Sequence, residues 1–370
     1  MEIEKGSKWV KFEIMEKFMC DVFKGVGVPA AEAAVCANVL ITADKLGIDS
    51  HGISRLKPIY YDRIKQGIQL AKTKFEIVKE TPTTAVIDGH NGMGHVISVR
   101  AMNMAIKKAK KYGLGMTAVR NSTHYGIAGY HALLAAKAGM VGITGTNARP
   151  SVAPTFGVEN MMGTNPLTFA IPTDEKFPFL LDCATSITQR GKIEVYAKLG
   201  KKMPKGWVID SNGNSKTDSI AVLKDLVAGT AALVPVGGIG EELGGYKGYG
   251  YCAVVEILSA ALQQGAYMKM LLGVKDGKKV PYPLGHFFLA INIEAFTSLL
   301  SFKKIAGDIL RELRASKKMP GAKRIYTAGE KEHLTWLYRK NKGVPLNRET
   351  QKEILAMRTE LGLNKYKFPF

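Results

Sequence analysis

The chain has 370 residues, 46% hydrophobic and 23% charged, enough for a large core divided over two or three lobes, which excludes a disordered or collagen-like polymer. Its formal net charge of +20 suits anionic partners, but the lysines are scattered and no helix-turn-helix, zinc-finger or RNA-binding signature accompanies them, so a basic nucleic-acid-binding protein is the weaker alternative. Cys20, Cys36, Cys183 and Cys252 form no CxxC pair or zinc spacing, residues 1–17 hold no apolar leader, and no run of roughly 18 apolar residues occurs; a reduced cytoplasmic protein without metal or membrane span is expected.

Phe12, Met15, Met19, Val22 and Phe23 recur at helical spacing, and Gly25 and Gly27 end the run. Pro29 opens a second, Ala-rich helix to about Lys45, with Gly47 as its stop. Asp49-Ser50-His51-Gly52 reads as a loop, followed by a helix from Ile53 or Lys57 to Lys65 whose start Pro58 obscures. From residue 75 the period falls to two, and residues 75–78 and 84–88 read as strands. A helix through Val99, Met102, Ile106 and Ala109 ends at Gly113, a strand covers 116–119, and a helix covers 126–138. Strands follow at 141–144, 167–171 and 179–181, then a helix at 187–199. Residues 203–218 are polar and read as an exposed loop. A Gly-rich stretch, 237–250, precedes an apolar helix at 251–264; residues 287–291 form a strand, and 301–370 are again helical, basic and amphipathic. The order suggests a helical N-terminal part of one lobe (1–75), a mixed α/β cofactor- and substrate-binding region (76–300) and a helical C-terminal part of the first lobe (301–370).

Where is the chemistry? Gly92-Met93-Gly94 follows a strand and opens a helix, but position 97 is Ile rather than a third glycine, and the strand at 116–119 has no acidic residue at its end to bind a ribose. An ordinary Rossmann site is therefore disfavoured. The Gly-rich stretch opens a helix, where backbone N–H groups attract anions; Lys247 and Gly248 are its cofactor candidates, and a flexible loop is the bland alternative. His51 and Arg55 lie four apart, so on a helix they share a face. An imidazole exchanges a proton near neutrality and a guanidinium clasps a carboxylate, which suits a hydroxyl beside a carboxylate; two surface residues near a turn would look the same. His124 lies where a strand meets a helix, as a proton acceptor or as a capping histidine. Thr146-Asn147, residues 163–166 and residues 182–186 each follow a strand and could converge on one crevice.

These stretches resemble one family. DSHGISR (49–55), NSTHYG (121–126), GTN (145–147), GTNPLTFAIP (163–172), LDCATS (181–186), RGKIEVYAKLGKKMPKGWVID (190–210), GGYKGYG (244–250), GHFFLAI (285–291) and RIYTAGE (324–330) are similar to the second type of malate/L-lactate dehydrogenases. That family includes sulfolactate and ureidoglycolate dehydrogenases and cyclic imino-acid reductases. The resemblance implies an α/β protein with a non-Rossmann, mixed-sheet dinucleotide-binding domain and a helical lobe formed by both chain ends, as in L-sulfolactate dehydrogenase. It implies a homodimer that moves a hydride between NAD or NADP and C2 of a small anionic 2-hydroxy or 2-oxo acid. Malate is the first expectation; lactate, sulfolactate or ureidoglycolate oxidation and cyclic imino-acid reduction are the alternatives. By motif, Ser50 and His51 would be proton-transfer groups, His124 would be the proton acceptor of the ureidoglycolate branch, and Arg55 would hold the carboxylate. His124, Tyr125, Gly126, Ala148, Asp182, Cys183 and Ala184 would line the cofactor, with Ala148 standing where some relatives have serine. Lys192 stands near an acidic residue of the imino-acid reductases and so favours a substrate with an extra carboxylate.

Overall fold

Alternating apolar residues in seven segments assemble a sheet at the centre of the computed structural model, which describes Glu4 and residues 6–370. Its strand order is Glu76–Glu80, Thr84–Asp88, Leu114–Ser122, Leu284–Asn292, Met140–Thr146, Leu167–Ile171 and Phe179–Cys183. One pair, Thr84–Asp88 with Leu114–Ser122, is parallel, and helix Gly94–Tyr112 makes its crossover. Every other pairing in the sheet is antiparallel. This mixed α/β sheet is not a doubly wound parallel one, so the glycine pair at 92 and 94 opens an ordinary crossover helix.

Strand Leu284–Asn292 comes from late in the chain and pairs on both sides, with Leu114–Ser122 and Met140–Thr146. It carries Phe287, Phe288 and Ala290 into the core. Gly115 and Gly142 let the sheet lie close under its helices: a side chain on either would strike the backbone carbonyl of Ala105 or Ala132. Ile97, Ala101, Met102 and Ala105 of helix Gly94–Tyr112 fill the space above the sheet with Val119 and Phe288.

Both chain ends build a second core. Helices Phe12–Gly25 and Ala30–Leu46 form a hairpin, and Gly47 stops the second in the left-handed region at φ 79°. Met15, Phe18, Met19 and Phe23 pack there with Val344, Ile354, Met357 and Tyr366, and Lys8–Val10 pairs with Val344–Leu346. Pro29 lies just outside the helix, at its N-cap.

The segment after His51 differs from one continuous helix. Residues Ile53–Arg55 form a 3₁₀ turn, Leu56–Tyr61 a π-helical turn and Asp62–Lys65 an α-helical turn. Pro58, which has no N–H to give to an α ladder, sits within the wider π turn. The expectation of an exposed loop at 203–218 is also corrected. Strand Val208–Asp210 pairs with Ala231–Leu233, and Met203, Val208 and Val222 close a small core with Val152 and Ile193. Apolar residues too sparse for a periodic signal are buried there by partners far along the chain. Among the described residues no helix is long and apolar enough to cross a membrane.

Candidate active site

The loop that carries Ser50 and His51 is held from below. Asp44, 1% exposed, ends helix Ala30–Leu46 and accepts the Ile53 amide at 2.9 Å. Its carboxylate occupies the space a side chain at position 52 would need, which is why Gly52 stands there. Burial, aided by Asp49, raises the Asp44 pKa well above its ordinary value. From helix Glu330–Arg339, the buried Arg339 donates to the Asp44 carbonyl at 2.8 Å and to both Asp49 oxygens at 2.5 and 2.8 Å. A late helix thus pins an early loop, a two-pronged contact that local sequence does not announce.

On this support two imidazoles meet. The rings of His51 and His124 lie 5.8 Å apart and nearly parallel, at 21°. Ser50 Oγ is 2.9 Å from His51 Nδ1, and Arg55 Nε donates to the Ser50 carbonyl at 2.5 Å. The sequence-predicted Ser50, His51, Arg55 and His124 are therefore neighbours. His124 Nδ1 lies 2.6 Å from the Tyr60 hydroxyl and 3.3 Å from the Gly126 amide, so protein groups occupy Nδ1 and Nε2 is left for a ligand. Both rings sit deep but keep part of their surface open. Burial, then the Arg55 charge, lowers the His51 pKa to about 4. Burial, then His51, His95, Arg63 and Arg55, holds His124 well below the ordinary histidine value. Both are neutral at pH 7, the form that accepts a proton.

Sequence reasoning missed Tyr60 and His95. Tyr60 is fully buried; its ring lies 4.5 Å from the His95 ring, and among the described residues neither His95 nitrogen has a hydrogen-bond partner. Tyr60 lies in an apolar run, and no local pattern points to His124.

The remaining candidates divide. Gly126 is required where it stands: φ is 82°, and a side chain would meet Val39 and His95. Tyr125 is turned away from solvent, 3% exposed, with its ring 4.5 Å from His286 and 4.8 Å from His131, so its side chain belongs to the core. Asp182 accepts the Gly129 amide at 2.7 Å and the Thr168 hydroxyl at 3.0 Å, bracing the start of helix Ala128–Lys137. Cys183 is exposed and Ala184 half-buried beyond it. The half-buried Ala148 gives its amide to Asn165 at 3.2 Å. Asn165 also donates to Glu256 at 2.7 Å, and Asn147 bonds to Gly285 and Ala266, so these two amides are buried braces rather than ligand donors.

The Gly-rich stretch uses its glycines on itself. Gly245 and Gly248 open helix Gly245–Ala260 and press against the backbone of Gly238 and Val236. Gly248 is buried by that contact; Lys247 is exposed, its ammonium 5.7 Å from the Tyr246 ring. Helix Arg190–Lys198 approaches the His51 loop through Gly191, where a side chain would reach Ser50 and Arg55. The exposed Lys192, next along the helix, has its ammonium 4.8 Å from the centre of the Trp207 ring. Among the described residues no group of three His, Cys, Asp or Glu side chains could hold a metal ion.

Comparison with known proteins identifies one family. The family described as malate/L-lactate dehydrogenase matches residues 10–355. Malate dehydrogenase from Pyrococcus horikoshii is 43% identical, over 94% of this chain and 93% of its own. L-sulfolactate dehydrogenase from Methanocaldococcus jannaschii is 37% identical, over 96% of this chain and 98% of its own. Among solved structures, malate dehydrogenase from Entamoeba histolytica superposes with a TM-score of 0.94 at 45% identity, over 98% of this chain and all of that one (100%).

Proposed function

The chain belongs to the malate/L-lactate dehydrogenase family, and we propose that it interconverts L-malate and oxaloacetate with a nicotinamide dinucleotide, NAD or NADP, as hydride partner. It is a 2-hydroxy-acid dehydrogenase. The observation that carries the reading is the pair of neutral imidazoles, His51 and His124, beside Arg55, a guanidinium with no carboxylate partner among the described residues.

The residues fit such a cofactor. Helix Arg190–Lys198 begins at Gln189 without a side-chain cap, and beside it the buried Thr188 hydroxyl has no partner. These unsatisfied donors, with exposed Cys183 and half-buried Ala184 close by in sequence, suit a polyanionic dinucleotide. When bound, the dinucleotide supplies the hydride acceptor. Arg55 holds the C1 carboxylate and so fixes C2 against the ring pair. The C2 hydroxyl proton passes to an imidazole nitrogen as the C–H bond gives up its hydride, leaving the 2-oxo acid; the reverse direction returns both. A base so placed contributes roughly 10²–10⁴ in rate. Lys247 and the three limits 1–75, 76–300 and 301–370 remain part of this reading.

We place the enzyme in the cytoplasm as a homodimer. What supports the dimer is an apolar stripe on helix Gly245–Ala260: Tyr251, Val254 and Ile257 are exposed, and Tyr267 and Met270 beyond it are too. The test is a panel of malate, lactate, sulfolactate and ureidoglycolate with NAD and with NADP, followed by nicotinamide absorbance. Malate turnover above the other acids supports the reading. No turnover with any acid removes it, and a salt-sensitive shift of DNA or RNA in its place would favour the nucleic-acid alternative.

A further inference from the structure

Two guanidinium groups whose charge reaches His124, Arg55 and Arg63, lack a carboxylate among the described residues. Among the described residues Arg55, Arg63 and Arg149 form no ion pair, whereas Arg120 and Arg314 hold Asp88 and Glu175. Unneutralised charge in a half-buried place is costly unless a ligand brings the opposite sign. Arg55 lies beside Ser50 and His51 and answers the carboxylate that every 2-hydroxy acid carries. Arg63 has no such duty yet.

Its position is well defined. Arg63 stands one turn after Tyr60, whose hydroxyl touches His124. The guanidinium lies over the Tyr282 ring, 4.9 Å from its centroid, a cation–π contact that steadies it. Tyr282, from the loop before strand Leu284–Asn292, is half-buried, and burial raises its pKa against the opposing charges of Arg63 and Arg149. The Arg63 charge also reaches His124 and Tyr60. Arg63 therefore links the Tyr282 ring to the segment whose Tyr60 touches His124, joining three parts of the chain.

Resting on the dehydrogenase reading, we propose that Arg63, steadied by Tyr282, binds a second acidic group of the substrate, a carboxylate or sulfonate at the end away from C1, and so selects dianionic 2-hydroxy acids over lactate. The exposed Arg149, whose charge also reaches Tyr282, adds to the same positive field. Lys192, the sequence candidate for this task, lies over Trp207 instead.

The experiment compares wild type, Arg63→Gln and Arg63→Lys for kcat/KM with malate, with lactate and with the dinucleotide. Arg63→Gln should lower the malate value on the order of 10²-fold and the lactate value far less, so that the malate-to-lactate ratio collapses. Arg63→Lys keeps the charge without the planar fork and should fall between; it carries the comparison if Arg63→Gln does not fold. Equal losses on malate and lactate would overturn the proposal. So would a raised KM for the dinucleotide with an unchanged ratio, which would assign Arg63 to a cofactor phosphate. If wild type turns over neither acid, the dehydrogenase reading fails, and thermal stabilisation by malate decides Arg63: lost in Arg63→Gln, the anion contact stands; kept in full, it does not.

Discussion

The Tyr60 hydroxyl meets Nδ1 of His124 at 2.6 Å, across 64 residues of sequence. A hydroxyl can donate to the ring or accept from it, whereas the Gly126 amide can only donate to the same nitrogen. The Tyr60 contact orients the ring and leaves Nε2 to the substrate. Replacing Tyr60 with Phe should therefore lower kcat about 10-fold while KM for the dinucleotide stays near wild type, and should displace the acid limb of the pH profile. A pH profile that overlays wild type would reduce Tyr60 to packing.

Removing either imidazole tests proton transfer directly. His51→Ala and His124→Ala should each lower kcat/KM for malate by roughly 10²–10⁴, with the melting temperature of each checked against wild type. Wild-type turnover from both would end the assignment.

The pH profile follows from burial. Oxidation needs a neutral imidazole, and burial places His51 at about 4 and His124 well below the ordinary value. Loss of kcat/KM for malate oxidation on acidification should therefore begin below the usual histidine value of 6.5, measured on the free enzyme. A half-point at or above 6.5 would contradict the buried, positively surrounded geometry.

Arg339 ties the C-terminal helix to the Ser50–His51 loop through Asp44 and Asp49. It is 2% exposed, so Arg339→Ala leaves a cavity and takes the partner from the half-exposed Asp49, which destabilises the fold. Denaturant unfolding should register that loss, and the surviving folded enzyme should show a higher KM for malate because Arg55 belongs to the loosened segment.

His95 gives a stability test with a defined sign. Burial lowers its pKa to about 3 in the folded chain, from 6.5 when unfolded. Between those values the unfolded state binds the extra proton, so wild type loses stability from this residue as pH falls through 6.5 toward 3. His95→Leu removes the term while the carboxylates common to both proteins cancel. The variant should gain on wild type by up to about 1.4 kcal/mol per pH unit in that window; a pH-independent difference would mean that His95 exchanges its proton through water.

Several elements were legible because their signals are local. The hairpin of helices at 12–25 and 30–46 follows from apolar spacing and from a glycine, Gly47, that alone takes a left-handed stop easily. The missing third glycine at Ile97 predicted a non-Rossmann sheet, and the mixed pairing agrees. The small core at 203–218 was not legible, since Met203 and Val208 are apolar residues in a polar run and their burial depends on Val152 and Ile193.

Sequence by itself determined the helix and strand periods, the turns, the family resemblance and the proximity of Ser50, His51 and Arg55, because each depends on neighbours along the chain. Only the tertiary structure decided that Tyr60 contacts His124, that Tyr125 and Gly248 are buried away, that Lys192 lies on Trp207, and that Arg63 has no counter-ion. The reason is physical: burial, hydrogen-bond satisfaction and charge compensation are properties of a three-dimensional neighbourhood, and distant segments supply that neighbourhood.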